Sequence, residues 1–222
     1  MYITVNGRNL YYEVKGTGTP LIMIHGNGET HEIFDEAIEV LSKNFTCYAF
    51  DSIGHGKSDP VDEYHYYDMA EDIACATIQL QLENAVYYGF SDGGVIGLLF
   101  AVNHPALYSR LIISGANTNP DGVRTWVKIL FTILTKIRRN PLFELMLKEP
   151  HITAEQLQSI SVPVTVIAGE KDLIKEEDTR FIADHIPHSH LIILPKEGHE
   201  TYIVHQTKIA DLIIQECKDI IQ

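Results

Sequence analysis

Residues 89–93 read GFSDG, which places one serine, Ser91, between two glycines in the spacing G-x-S-x-G. The apolar residues 85–88 predict a buried strand before it, and residues 95–102 predict a helix after it that is apolar on nearly every face. A turn this tight leaves no room for side chains two positions before and after the serine, so both positions require glycine. Such a turn exposes the serine hydroxyl at the N-terminus of a helix, where the helix dipole favours negative charge. The pattern predicts that Ser91 is a nucleophile.

A nucleophilic serine needs a base that takes its proton and an acid that orients the base. In a parallel sheet these groups lie on loops at the carboxyl edge, where the loops of neighbouring strands converge. Asp172 follows the predicted strand 162–168, and His199 follows the last predicted strand, 191–194. The order Ser91, Asp172, His199 is the one expected when the serine stands in a strand-turn-helix motif. We therefore predict that these three residues act together.

Two glycine-containing loops are predicted to surround the serine. Residues 25–28, His-Gly-Asn-Gly, follow a predicted strand and turn the backbone across the top of the sheet. An amide there would point at the serine, and we assign that position to the N–H of Asn27. His25 is expected to be a hydrogen-bonded structural residue and not the base. The loop 51–60 is expected to wall the pocket, and it is not a P-loop because Asp51 occupies the place of the first glycine.

Other acids and histidines are weaker candidates for the same chemistry. Glu170 stands two residues before Asp172 and is an alternative acid. His199, Glu200 and His205 do not have the H-E-x-x-H spacing of a zinc helix, so no metal is predicted. No cofactor is predicted either.

The elements that carry these loops alternate between strand and helix, which predicts a mostly parallel α/β sheet with right-handed connections. The alternation is interrupted at about 117–150. There a helical pattern carries five basic residues and no acid, namely Arg124, Lys128, Lys136, Arg138 and Arg139. A helix inserted between two strands lies where a lid over the site would be, so we expect a short helical lid with Trp126 and Leu130 facing the substrate.

Two other interpretations of this inserted helix remain open. It could be a plain packing helix. A basic amphipathic helix with a tryptophan could also lie on a membrane surface. The acidic remainder of the chain, however, offers the helix a closer partner.

Length, charge and cysteine content limit the possible domain number, partners and compartment. The 222 residues are expected to form one domain, residues 1–222, with a formal net charge of −13. That charge disfavours nucleic acid and anionic membranes as partners. Cys47, Cys75 and Cys217 are isolated and odd in number, which favours a reducing cytoplasm. No targeting or membrane-spanning segment is predicted.

Five motifs fall in one order and spacing, at residues 25–28, 51–58, 89–94, 169–172 and 198–199. In these motifs the chain resembles the α/β-hydrolase superfamily over nearly all of its length. The string GFSDGG, the later His104-Pro105 and residues 114–117 (SGAN) look like the small serine carboxylesterases of the valacyclovir hydrolase group. The predicted lid is short for the superfamily, so substrate preferences tied to a larger cap are not carried over.

The resemblance implies an α/β-hydrolase fold, with a mostly parallel twisted sheet flanked by helices and a short helical lid. It implies Ser91 as nucleophile, His199 as base and Asp172 as acid. It also implies that the amides of Asn27 and Asp92 hold the oxyanion. Members of the superfamily that cleave epoxides or haloalkanes use aspartate as the nucleophile, and Ser91 argues against both activities.

The expected activity is hydrolysis of a small carboxylic ester through an acyl-enzyme. A thioester, lactone or C–C bond could be cleaved by the same residues, and perhydrolysis is a further alternative. A ligand-binding protein of the same fold that turns over negligibly is an alternative of another class. The Asp92 carboxylate either lines the pocket, where it would attract a substrate ammonium, or caps the helix after the serine.

Overall fold

The computed structural model describes residues 1–221. Its strands are β1 (Tyr2–Val5), β2 (Arg8–Gly16), β3 (Thr19–Ile24), β4 (Phe45–Phe50), β5 (Ala85–Phe90), β6 (Tyr108–Ser114), β7 (Val164–Lys171) and β8 (Ser189–Gly198). Its α-helices are α1 (Asp35–Leu41), α2 (Tyr66–Gln79), α3 (Asp92–Asn103), α4 (Thr125–Ile137), α5 (Pro141–Lys148), α6 (Ala154–Gln158), α7 (Glu176–His185) and α8 (Lys208–Glu216). Single turns of 3-10 helix occur at His31–Phe34 and Pro120–Gly122.

The strands form one sheet in the order β1-β2-β4-β3-β5-β6-β7-β8. The hairpin of β1 and β2 is antiparallel, and β2 pairs antiparallel with β4. From β4 to β8 every neighbouring pair is parallel. The predicted mostly parallel sheet is therefore confirmed, and the carboxyl ends of β3 to β8 lie along one edge.

Helices cover both faces of this sheet, which explains why its strands are almost continuously apolar. Strand β3 shows the alternation of faces. Leu21 and Met23 pack with α1 and α8 in one buried layer. Ile22 and Ile24 pack on the opposite face in a second layer that includes α2, α3, α6 and α7. The α/β-hydrolase fold expected from the sequence is the fold observed.

The segment 117–150 lies between β6 and β7, where the sequence interrupts the alternation. Asn119, which precedes Pro120, caps the 3-10 turn Pro120–Gly122. Helix α4 begins after this turn, at Thr125. Helix α5 follows α4, and the rings of Phe131 and Phe143 stack between the two helices with centroids 4.8 Å apart. None of the helices in residues 1–221 combines the length and the apolar character needed to cross a membrane.

Two glycines allow β3, β5 and α3 to approach closely at the carboxyl edge. A Cβ on Gly89 would lie 2.2 Å from the carbonyl oxygen of Gly93, and a Cβ on Gly93 would lie 2.1 Å from that of Ile24. The obstruction is backbone in both cases, so no side-chain movement can relieve it. The requirement for glycine on each side of Ser91 therefore comes from the packing of three elements.

We predict that Gly93→Ala lowers the free energy of unfolding by more than about 2 kcal/mol, because the added methyl group forces β3 away from α3. Urea denaturation followed by circular dichroism measures the change. Gly198→Ala is the control, since a Cβ there meets its nearest atom at 3.4 Å, an ordinary contact. Equal stability losses in the two variants would contradict the prediction.

Candidate active site

Ser91 connects β5 to α3 and has a backbone conformation that residues other than glycine rarely adopt. Its φ is +52° and its ψ is −115°. The chain is held there by the Ser91 N–H, which donates to the carbonyl of Ser114 at 2.8 Å, and by the N–H of Gly94, which donates to the Ser91 carbonyl at 2.9 Å. The serine hydroxyl thus lies above the carboxyl edge at the N-terminus of the twelve-residue helix α3.

The structure brings Ser91, His199 and Asp172 together from three separate loops. The Ser91 Oγ lies 3.0 Å from Nε2 of His199, and Nδ1 of the same ring lies 2.6 Å from Oδ1 of Asp172. The ring of Phe90 packs against the imidazole with centroids 4.9 Å apart. A Cβ on Gly115 would lie 2.7 Å from the imidazole Cε1, so this glycine leaves room for the ring.

Asp172 is almost fully buried, at 2 % exposure. Burial by itself would raise its pKa. The hydrogen bond and charge of His199 act in the opposite direction, together with the amides of Ile174 and Gly169, and they hold the pKa of Asp172 below its ordinary value. The amide of Ile174 donates to Oδ1 at 2.9 Å. The carboxylate is therefore ionised and fixed where it can orient the imidazole.

The oxyanion donors predicted from the sequence are the backbone amides of two residues that line the same cavity as Ser91. The amide of Asp92 is at the first turn of α3, and that of Asn27 is in the loop after β3. Neither donates a hydrogen bond within residues 1–221. The adjacent amide of Gly26 is occupied, because it donates to Oε2 of Glu29 at 2.9 Å. The role of the Asn27 and Asp92 amides as oxyanion donors stays a prediction.

Two buried histidines support the loop 25–28. The Ser52 amide donates to Nε2 of His25 at 3.0 Å, and the Gly28 amide donates to Nε2 of His55 at 3.0 Å. An imidazole nitrogen that accepts an amide proton carries no proton itself. Burial, reinforced by the repulsion that a protonated His25 would meet from a protonated His55, lowers the pKa of His25 to about 3, and burial lowers that of His55 as well. Both rings are neutral acceptors.

His25 therefore has the structural role that the sequence predicts. The prediction for the loop 51–60 is wrong, because this loop does not line the cavity above Ser91. It lies behind the loop 25–28 and holds it through His55. Buried Asp51 stabilises the loop by accepting the amide protons of His31 and Lys57, each at 2.9 Å.

The Asp92 carboxylate faces the cavity but has two donors of its own. Oδ1 accepts from the Tyr66 hydroxyl at 2.7 Å, and Oδ2 accepts from Nδ2 of Asn27 at 2.9 Å. Burial raises the pKa of Asp92, and these two hydrogen bonds oppose the rise. The carboxylate thus fixes the side chain of Asn27.

A cavity of about 180 Å³ lies above Ser91 and His199, under the insertion. Its apolar wall consists of Phe90, Val123, Val127, Phe131, Phe143, Met146, Leu173 and Ile174. Its polar side includes four acids, Glu29, Asp92, Glu149 and Glu200, together with Tyr66, Asn27 and Asn117. No lysine or arginine of the described chain is among the lining residues. The described His, Cys, Asp and Glu side chains form no group of three that could hold a metal ion.

The structure does not bring Trp126 or Leu130 to this cavity, so the prediction that they face the substrate is wrong. Both side chains are exposed on the outer side of α4. Val127 and Phe131, one position further along, line the cavity instead. Successive residues of a helix are 100° apart, so the apolar arc of α4 is wider than the part that packs inward.

Two of the cavity acids were not anticipated and differ in their environment. Glu149 is paired, since it accepts from His65 Nδ1 at 2.6 Å and from the Tyr66 amide at 3.1 Å. Burial, with the charges of Glu200 and Asp92, raises the pKa of Glu29 to about 7 against the opposing effects of the Gly26 amide and His199. A glutamate directly after a glycine-containing loop at the carboxyl edge was the only signal in the sequence for Glu29.

Comparison with known proteins concerns the family and the fold of the chain. The model of the α/β hydrolase fold family matches residues 19–145. The AB hydrolase superfamily protein YisY of Bacillus subtilis (strain 168) is 27 % identical over 252 residues, covering 93 % of this chain and 94 % of that protein. The serine hydrolase BPHL of Homo sapiens is 26 % identical over 259 residues, covering 99 % and 85 %.

Among solved structures, the esterase EaEST from Exiguobacterium antarcticum superimposes with a TM-score of 0.85. The alignment covers 98 % of each chain at 24 % identity. At 24 % identity this similarity shows a shared fold alone.

We predict that Glu29→Gln stabilises the protein increasingly as pH rises from 4.5 to 8. Folded Glu29 keeps its proton up to about pH 7, whereas an unfolded glutamate releases it near 4.5. Wild type therefore loses stability through this window, and the glutamine variant does not. The stability difference between the two proteins should change by about 3 kcal/mol in favour of the glutamine variant.

Urea denaturation at the two pH values measures this difference. Glu83→Gln on the exposed surface is the matched control and should show no such change. A difference between Glu29→Gln and wild type that is the same at both pH values would show that Glu29 titrates normally.

Proposed function

Because the chain belongs to the α/β hydrolase fold family, we propose that it is a serine hydrolase that cleaves small carboxylic esters through an acyl-enzyme. The observation that carries the proposal is the continuous pair of hydrogen bonds from Ser91 to His199 to Asp172 at the floor of the cavity. The likeness to a protein named serine hydrolase over 99 % of the chain supports the same class. The cavity of about 180 Å³ supports a small-molecule substrate.

The proposed reaction begins when Nε2 of His199 takes the Ser91 proton as Oγ attacks the ester carbonyl. The Nδ1–H of the imidazole donates to Asp172, whose negative charge stabilises the imidazolium that forms. His199 then protonates the leaving alcohol, and the acyl group remains on Ser91. Water attacks this acyl-enzyme with the same base, which releases the acid and restores Ser91.

The oxyanion formed in each half-reaction is proposed to bind the amides of Asn27 and Asp92. The Asp92 amide adds the positive end of the α3 dipole, which is aimed at the same point. Loss of one such donor typically lowers the rate by about 10²- to 10³-fold. Contacts that keep the loop 25–28 in position are therefore expected to affect kcat.

The cavity walls favour a substrate with an apolar part. Helices α4 and α5 supply an apolar cover, in agreement with a lid, and the acidic side lies near His199 and the loop 25–28. The absence of a lysine or arginine from the described lining disfavours anionic esters. Thioesters, lactones, C–C bonds and perhydrolysis remain alternatives on the same residues, to be separated by a substrate panel that includes peroxide-dependent halide oxidation.

We predict that Ser91→Ala lowers kcat for p-nitrophenyl acetate and butyrate by at least about 10⁴-fold, because no nucleophile replaces the hydroxyl. A fluorophosphonate should add one label to wild type, which peptide mass spectrometry should locate on Ser91. Ser109→Ala, distant from the cavity, is the control and should react as wild type does. Wild type that neither turns over these esters nor takes the label would favour the ligand-binding alternative.

A second prediction concerns the Asp92 carboxylate, whose two oxygens already accept from Tyr66 and Asn27. If its role is to position Asn27, Asp92→Asn lowers kcat by a similar factor, about tenfold or more, for an α-amino ester and for its uncharged isostere. Steady-state kinetics on the matched pair measure both factors, and Tyr66→Phe provides the control that removes one donor only. A loss confined to the KM of the amino ester would establish an ammonium subsite instead.

A further inference from the structure

Helix α4 presents apolar side chains on two adjoining sides. Val127 and Phe131 line the cavity. Six other large apolar side chains of α4 are between 38 % and 77 % exposed: Trp126, Ile129, Leu130, Ile133, Leu134 and Ile137. We call these six side chains the outer stripe. Each of them lies three or four residues from at least one other, on the next turn of the helix, so together they form a continuous surface.

The outer stripe contains most of the large apolar side chains that are exposed in residues 1–221. Scattered apolar residues on a protein surface are ordinary, but a continuous apolar patch on one helix marks a surface that contacts another apolar phase or molecule. The sequence predicts that the acidic remainder of the chain is a closer partner for this helix than a membrane is. The structure leaves its outer side open.

The charges around the outer stripe distinguish between possible occupants. Residues 124–139 contain five basic side chains and no acid. Lys128 pairs with Asp121, and Arg139 pairs with Glu144 at 3.1 Å. Lys136 is exposed and makes no ion pair within the described residues.

Arg138 likewise is exposed without an ion pair in residues 1–221. A second copy that packed stripe against stripe would bring two basic helices together, whether parallel or antiparallel, and like charges would face each other. An apolar surface that carries negative charge complements both the outer stripe and these two cations.

We propose that the outer stripe docks on an anionic lipid surface. In this orientation α4 lies in the plane of the interface, with its apolar side chains among the upper acyl chains and Trp126 at the headgroup boundary. Lys136 and Arg138 reach the lipid phosphates. The net charge of −13 does not prevent this, because acids further than about 10 Å from the membrane are largely screened at physiological salt.

Docking would also place the cavity next to the lipid, since one helix separates the two. Binding itself requires no catalysis, so this proposal goes beyond the proposed function and can fail or succeed independently of it. If both hold, apolar esters dissolved in the lipid would be the nearest source of substrate.

The test uses the emission of Trp126, which is the only tryptophan of the chain. Vesicles of phosphatidylcholine with phosphatidylglycerol should shift this emission to the blue and should sediment with the protein. Vesicles of phosphatidylcholine alone should bind at least about tenfold less, and salt near 1 M should weaken binding to the anionic vesicles. Ser91→Ala should bind as wild type does, which separates docking from catalysis.

Two double variants and one control locate the contact. Ile133→Asp with Ile137→Asp should reduce vesicle binding by at least about tenfold, and Lys136→Glu with Arg138→Glu should reduce it several-fold. Ile78→Asp on α2 is the control, because Ile78 is also an exposed apolar residue, 57 % exposed, but lies outside α4. All of these side chains are exposed, so the variants are expected to fold.

Three outcomes would overturn the proposal. The first is an emission spectrum that anionic vesicles do not change. The second is a loss of binding in Ile78→Asp equal to that in the outer-stripe variants. The third is a blue shift that depends on protein concentration without lipid, together with a dimer in sedimentation velocity, which would show that a second copy covers the outer stripe.

Discussion

The close approach of three backbones around Ser91 is the constraint on which the rest of the site depends. Gly89 and Gly93 allow β5 to turn into α3 while the carbonyl of Ile24 at the end of β3 lies against the turn. Because β3 continues directly into the loop 25–28, the packing that forces Ser91 to a φ of +52° also brings Asn27 beside it. The strained residue Ser91 and the loop 25–28 are thus positioned by the same close packing.

Several groups that carry no net charge contribute to the electrostatics of the site. His25 and His55 are neutral because each accepts an amide proton in a buried place, and their hydrogen bonds connect the loop 25–28 to residues 52–55. The dipole of α3, which begins directly after Ser91, provides positive potential without a lysine or arginine. Such dipoles are fixed before the substrate binds, so they need little reorganisation when negative charge develops. Two of the surrounding acids oppose this potential less than free carboxylates would, since Asp92 accepts two hydrogen bonds and burial raises the pKa of Glu29 to about 7.

Much of this arrangement could be predicted from the sequence because strand ends in a parallel sheet converge on one edge. Asp172 and His199 each follow an apolar strand, and that alone was enough to place them near Ser91. Tyr66 could not be found in this way, since it reaches Asp92 from the N-terminus of α2 and only the packing of α2 against α3 brings the two together. The side of α4 that faces the substrate was also wrongly predicted. Periodicity identifies which residues share an arc of a helix, but it does not indicate how much of that arc the rest of the protein covers.

Only a few apolar contacts hold α4 against the rest of the protein. Its inner side packs in a small cluster with Val123, Ile174 and Leu173, separate from the two large layers that cover the sheet. The stack of Phe131 on Phe143 ties it to α5, which belongs to the same insertion. Hydrophobic stabilisation scales with the apolar area removed from water, so a cluster of this size holds α4 far less firmly than the layers hold α3. The outer stripe exposes more large apolar side chains than this cluster buries. The position of α4 over the cavity is therefore the part of the structure most sensitive to what contacts its outer side.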